Sequence, residues 1–278
     1  MSKRKQNTED DGNESDVSLI DVDFDFFGPN PDVDYHAINR LLNQLFQADA
    51  EAIHAHQLTE LILSQPGIGS TIKTDGEEAD PYALLTVLNM HTHQSHPSIK
   101  AIADYALSKT AAADPPFHAA LKGLLAQSQN HVGLIVCERL INMPVQVIPP
   151  MYRMLIDELK TAIDANEPFA FTHLLFISRT YKLSEEEESE LAESRTSKKR
   201  KTFPQPTRSS TGVYSFHLED EQIQQAASHA LDYALTHALP RDKDAFGLDV
   251  AGRMMLVPAD RLQALVDTMS EVYRPPGV

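Results

Sequence analysis

The sequence has no tryptophan and a single cysteine, Cys137. One thiol cannot build an intramolecular disulfide framework or a Cys-rich zinc site, which suits a reducing compartment. Long apolar runs are missing as well: none approaches the roughly 18–20 residues that cross a bilayer. The N-terminus opens Lys3-Arg4-Lys5 and continues polar, unlike the apolar core of a secretory signal. A soluble, intracellular chain without membrane insertion is expected. Positive charge is scarce too, with 24 Lys and Arg against 40 Asp and Glu and a net charge of -16. That disfavours direct nucleic-acid binding and favours a basic protein as partner. Across 278 residues, 42% of them hydrophobic, there is enough apolar side chain for a large buried core.

Charge and hydropathy divide the chain. Residues 1–18 are polar and almost free of apolar side chains, and are read as a disordered acidic tail. Residues 184–211 form a second such segment: Glu185 to Glu193 carries six acids, Arg195 to Arg208 carries six bases, and Pro204 and Pro206 interrupt it. This is read as a disordered charged insertion. Between and after them, 19–183 and 212–274 are expected to form one α/β domain, a mixed sheet covered by helices.

Within that domain, Val22, Phe24 and Phe26 alternate with Asp21, Asp23 and Asp25, the period of a half-buried strand over 20–27, its aromatic face serving the core. Helices are expected over Ile38 to Phe46, Glu51 to Ser64, Pro97 to Leu107, Phe117 to Leu125, Pro149 to Ile163 and Leu262 to Met269, each with i, i+3, i+4 apolar spacing. Strands are expected at Gly69 to Lys73, Tyr82 to His91, Val132 to Cys137, Phe169 to Tyr181 and Met254 to Val257, with order returning at Val213 to Phe216. Gln222 to Leu239 holds a helical period through Ile223, Ala226, Ala230, Leu231 and Leu235, while its 229–237 stretch also alternates. The period favours helix.

Few motifs carry chemistry. Lys198-Lys199-Arg200-Lys201 in a Pro-flanked charged stretch has the form of a monopartite nuclear-localisation signal, four adjacent cations for an acidic receptor groove. His91-x-His93-x-x-His96 would set two imidazoles on one strand face, but with no cysteine nearby these are read as satisfied or exposed histidines, and no metal site is assigned. Cys137 lies in an apolar run, where a thiolate is disfavoured, and is read as a core thiol. Gln65-Pro66-Gly67-Ile68-Gly69 lacks the Lys-Ser/Thr end of a phosphate loop and reads as a helix stop. Glu138-Arg139, following a strand, fits an ion pair or an active site. No catalytic residue and no cofactor is assigned.

Several blocks, taken in order, resemble the BCCIP family of eukaryotic nuclear proteins, and in particular its fungal branch. They are Val22-Asp23-Phe24-Asp25-Phe26-Phe27 leading into Asn30-Pro31-Asp32-Val33-Asp34-Tyr35-His36; Val132 to Pro144; Pro149-Pro150-Met151-Tyr152; and Met254-Met255-Leu256-Val257-Pro258. The resemblance implies a single domain similar to the GNAT acetyltransferase fold without demonstrated acetyltransferase chemistry, and strand across much of His229 to His237. It further implies chaperoning of a large-subunit ribosomal protein, a part in ribosome assembly and, in fungi, nuclear export of a lipid kinase.

Together these give the functional expectation: a non-enzymatic nuclear escort, shuttling with the cytoplasm, imported through Lys198 to Lys201 by a nuclear import receptor. Asp21, Asp23 and Asp25 help hold its basic client. The rival is an acyl-CoA-dependent N-acetyltransferase, which needs a Q/R-x-x-G-x-G/A loop entering a helix. The nearest stretch, Ser64 to Gly69, begins with the wrong residue and follows a helix.

Overall fold

The computed structural model describes residues 23–183, 212–238 and 248–274. The tail, the charged insertion with Lys198 to Lys201, and Asp21 lie outside the described residues. Strands from both sides of the insertion enter one eight-stranded sheet in the order β1 (Asp25–Phe27), β2 (Ser70–Lys73), β3 (Ala83–Asn89), β4 (His131–Arg139), β5 (Phe171–Lys182), β8 (Asp249–Pro258) and β7 (His229–Tyr233), with β6 (Val213–Ser215) paired to one end of β5.

The alternating Asp/Phe segment becomes edge strand β1 over Asp25–Phe27, antiparallel to β2 (Ser70–Lys73). Next come β3 (Ala83–Asn89) and β4 (His131–Arg139), also antiparallel neighbours. Every residue of β3 is buried, as expected of a near-continuous apolar run in a sheet covered on both faces. The pairing of β4 with β5 (Phe171–Lys182) is parallel, and α5 (Ile148–Asp164) supplies the crossover that such a pair requires. β8 (Asp249–Pro258) follows antiparallel on β5, and β7 (His229–Tyr233) forms the other edge.

Helices α1 (Tyr35–Phe46), α2 (Ala55–Leu63), α3 (Pro97–Ala113) and α4 (Pro115–Leu125) cover one face. On α1 the expected stripe of Ile38, Leu41, Leu42, Leu45 and Phe46 is buried, each side chain contributing ~1.5–3 kcal/mol from removal of apolar surface from water. The other face carries α5, α6 (Glu219–Ala226) and α7 (Leu262–Val272) over Ile72, Leu85, Ile135, Leu174, Phe176, Met255 and Val257. Phe24 and Phe26 pack against this second core. Two layers of helix thus enclose the sheet, a mixed α/β domain.

Gln222 to Leu239 departs from its helical period. The helix ends at Ala226, and His229–Tyr233 is strand β7, in register with Leu256 to Gly252 of β8. The alternation prevails because each of its faces finds a core. Leu231 and Tyr233 pack into the first, while Ala230 packs into the second. Pairing with β8 also satisfies backbone groups that a continued helix would have left beside an open strand.

Tyr233 depends on the residue opposite. A Cβ on Gly252 would lie 2.3 Å from Cζ of the Tyr233 ring, which stands edge-on to Tyr105 at 5.7 Å with the Lys109 ammonium over it at 5.3 Å. Gly252→Ala is therefore expected to expel the ring and cost ~1–3 kcal/mol, the usual penalty of overpacking. Thermal denaturation checks this, and an unchanged Tm would contradict it.

Candidate functional site

β4 and β5 run side by side only as far as the pair Ile135 and Phe176. Beyond it β4 stays with β3 to Arg139, while β5 goes on to pair with β6 (Val213–Ser215) through Thr180 to Lys182. The wedge between the diverging strands is filled by side chains from the turn joining β6 to α6.

At its centre is Glu138, fully buried. Its Oε1 accepts from Gln44 Nε2 at 2.9 Å, from His217 Nε2 at 2.5 Å, from Arg179 Nη2 at 3.1 Å and from the Arg139 backbone N–H at 3.0 Å. Its Oε2 accepts from Arg179 Nε at 2.9 Å, so Arg179 grips the carboxylate with two donors. The Arg179 guanidinium also lies 4.3 Å from the Phe216 ring centroid. Arg139 turns away from Glu138: its Nη2 donates to Glu219 Oε2 at 2.7 Å and its Nη1 to His217 Nδ1 at 2.9 Å. Asp220, fully enclosed beside them, has an Oδ2 without a partner.

Electrostatics follow from these contacts. Burial by itself would raise the Glu138 pKa, but His217 and then Arg179 outweigh it and hold the carboxyl down at about 2. Burial disfavours charge on His217, yet Glu138 prevails and raises the imidazole pKa. Because a guanidinium only donates, the Arg139 contact takes the Nδ1 lone pair, which leaves the ring proton on Nε2 facing Glu138. A second proton would break that contact. Asp220 is pushed up to about 7 by desolvation, with Glu219 adding to the rise. Burial likewise raises the Cys137 thiol, as does Glu219, and burial raises the Tyr152 hydroxyl.

The cluster is suited to holding strands apart at a fixed angle. As a general base Glu138 is too acidic and its oxygens are already engaged, and the Cys137 thiol is the wrong side of neutrality for a nucleophile. Next to it opens a groove of about 400 Å3, with Arg139 on its floor and Ile141, Met143, Val145, Phe216, Leu218 and Leu248 among its walls.

The other sequence candidates are placed as follows. Asp23 and Asp25 are exposed, with Asp25 on the edge strand. His91, His93 and His96 lie in the turn between β3 and α3, not on a strand face. The His91 ring is already committed, Nδ1 accepting from the Val132 N–H and Nε2 donating to the Leu124 carbonyl. Among the described residues no group of three or more His, Cys, Asp or Glu has a metal-holding arrangement. Gln65 to Gly69 does follow a helix and leads into β2. The Gly69 N–H donates to Glu158 Oε2 at 2.8 Å, so this amide is not free for a phosphate. Glu138 and Arg139 belong to the strand itself and pair with other side chains, not with each other's, which corrects their placement after it.

Arg179, His217, Glu219 and Asp220 were not legible as site residues. Their one signal was charge inside an apolar strand, Arg179 within β5, since buried Arg and Glu are rarely left unpaired. Asp49 was missed too. It is buried, accepts from the backbone N–H groups of Thr236 and His237 at 2.8 Å each and from the Tyr105 hydroxyl at 2.9 Å, and so pins the chain leaving β7. Burial opposes its ionisation, but those backbone donors prevail and lower its pKa.

Comparison with known proteins agrees with the resemblance. Residues 19–223 match the BCCIP family. Protein bcp1 of Aspergillus fumigatus is 42% identical over 278 residues, covering 96% of this chain and 92% of the relative. Protein bcp1 of Schizosaccharomyces pombe is 42% identical, with 93% and 92% covered. Among solved structures, the crystal structure of BCP1 from Saccharomyces cerevisiae superposes with a TM-score of 0.63 at 25% identity, covering 94% of this chain and 93% of that one. On the strength of the family match and these relatives, the chain belongs to the BCCIP family.

Proposed function

We propose that this protein is a non-enzymatic escort for a basic client, a large-subunit ribosomal protein, and that it supports ribosome assembly and nuclear export. The observation that carries the proposal is the closed wedge. Where β4 and β5 part, the chain fills the opening with its own ion pairs, and Asp220, pushed up to about 7, is enclosed there out of a substrate's reach. What faces outward is an acidic surface on a chain of net charge -16, able to attract and neutralise a basic protein. Asp23, and Asp25 on the edge strand, both exposed, are proposed to take part in holding it, together with Asp21. The family resemblance supplies the client class, a lipid kinase as export cargo, and a nucleus-to-cytoplasm shuttle entered through Lys198 to Lys201 and an import receptor.

The likeness to the GNAT sheet belongs to the same proposal, supported by the mixed sheet with its parallel β4 and β5. Acetyltransferase activity has no comparable support. The Gly69 amide is taken by Glu158, and α5, the helix entered from β4, has prolines at two of its first three positions, Pro149 and Pro150. Proline has no N–H to offer a pyrophosphate.

Affinity purification of the tagged protein from its own cells, at low and at high salt, tests the escort function. A near-stoichiometric basic ribosomal protein is expected at low salt and is expected to be lost at high salt, as screened surface charges require. Recovery of no basic protein at either salt overturns it. A thermal upshift equivalent to ~2.7 kcal/mol in acetyl-CoA at a hundredfold excess over its Kd would instead favour the enzyme.

A further inference from the structure

We propose that the groove over Arg139 is where the client docks, through a segment that presents large apolar side chains flanked by Lys or Arg. The proposal rests on the escort function above and gives it a surface. Two of the four most exposed large hydrophobic residues among those described, Ile141 at 68% and Leu248 at 43%, stand at this one groove. Exposed side chains of that size on the rim of a concave apolar site mark an interaction surface more than a solvated one. The volume of about 400 Å3 falls in the range of sites that enclose a ligand group.

The floor is closed. Arg139 is almost wholly buried, its two terminal nitrogens are engaged by His217 and Glu219, and its Nε has no partner. That nitrogen is itself enclosed, so what the groove offers a partner is its apolar wall. Charge selects the kind of segment. At the rim, Leu248 adjoins the exposed Asp249, which pairs across the strands with the exposed Lys182, so charge there balances. The sign that selects a partner comes from the chain as a whole, at net charge -16. Apolar walls on a strongly acidic chain fit an apolar anchor in a basic protein, and not an acidic or uniformly polar one.

The test titrates each purified, fluorescein-labelled large-subunit ribosomal protein against the full chain, then compares three forms with the tightest binder at fixed salt. They are wild type, the double variant Ile141→Ser/Leu248→Ser, and Ile163→Ser, an exposed apolar residue on α5 away from the groove. Since all three positions are exposed, each variant is expected to keep the wild-type Tm. The double variant is expected to bind at least tenfold more weakly, and the Ile163 variant within twofold of wild type. Equal binding by the double variant overturns the groove while leaving the escort function standing. Equal weakening by Ile163→Ser overturns it as well, by making the effect one of general surface hydrophobicity. Binding of no ribosomal protein to wild type overturns the escort function itself, and the groove with it. A wild-type dimer that the double variant dissolves would make the occupant a second copy of the chain and also overturn the proposal.

Discussion

Glu138→Ala is expected to cost about 3–5 kcal/mol of folding stability, the range for breaking a buried ion pair from one side. The alanine removes the acceptor for both Arg179 donors and the His217 Nε2 proton, which stay buried with nothing in its place, and one of the two acceptors of Gln44 Nε2. The loss measures stranded donors, since an ion pair exchanged whole for apolar residues can be neutral or stabilising. Arg179→Met combined with Glu138→Leu should accordingly lose less than Glu138→Ala alone. The pH dependence has a definite sign. Glu138 titrates at about 2 in the folded protein against an ordinary 4.5, so its contribution is complete above pH 4.5 and is lost as pH falls toward 2. Urea titrations of wild type and Glu138→Ala should differ most at neutral pH and converge in acid. A difference below 1 kcal/mol at pH 7 would mean that the wedge is not held by this carboxylate.

The sequence made the layers legible and left the wedge hidden, for one physical reason. Helix and strand periods are local, and α1, α5, β3 and β8 come close to the positions expected from the spacing of Ile38 to Phe46, Met151 to Ile163, Tyr82 to His91 and Met254 to Val257. Where two periods coexisted, across Gln222 to Leu239, pairing with β8 decided, and no local property of the segment contained that partner. The wedge is wholly non-local. Glu138 meets Arg179 across 41 residues and His217 across 79, and Arg139 meets Glu219 across 80. Two of these partners lie beyond the charged insertion, so a pattern read along the chain could find Glu138 and Arg139 but not what they bind. The docking groove has the same character, drawing its walls from Ile141, Phe216 and Leu248.

Asp220→Asn is expected to stabilise the protein at pH 8 and to change it little at pH 4. Asp220 is enclosed among Tyr152, Ser178, His217 and Glu219, and no arginine is hydrogen-bonded to it; the guanidinium of Arg253 is held instead by Asp232 and Ser215. Desolvation, with the Glu219 charge, therefore raises its pKa from 3.8 to about 7. A carboxyl that holds its proton more tightly when folded destabilises the fold as pH rises: the cost begins near the unfolded value and is complete above about 7. Asparagine keeps the shape of the neutral acid and cannot ionise, and its amide lies beside the hydroxyls of Ser178 and Tyr152. The gain should thus appear progressively between pH 4 and pH 7 and then level off, opposite in direction to the Glu138 effect and in a higher window. Equal stability of Asp220→Asn and wild type at pH 8 would show that Asp220 is ionised and satisfied in the folded protein, and that the wedge holds a third paired carboxylate.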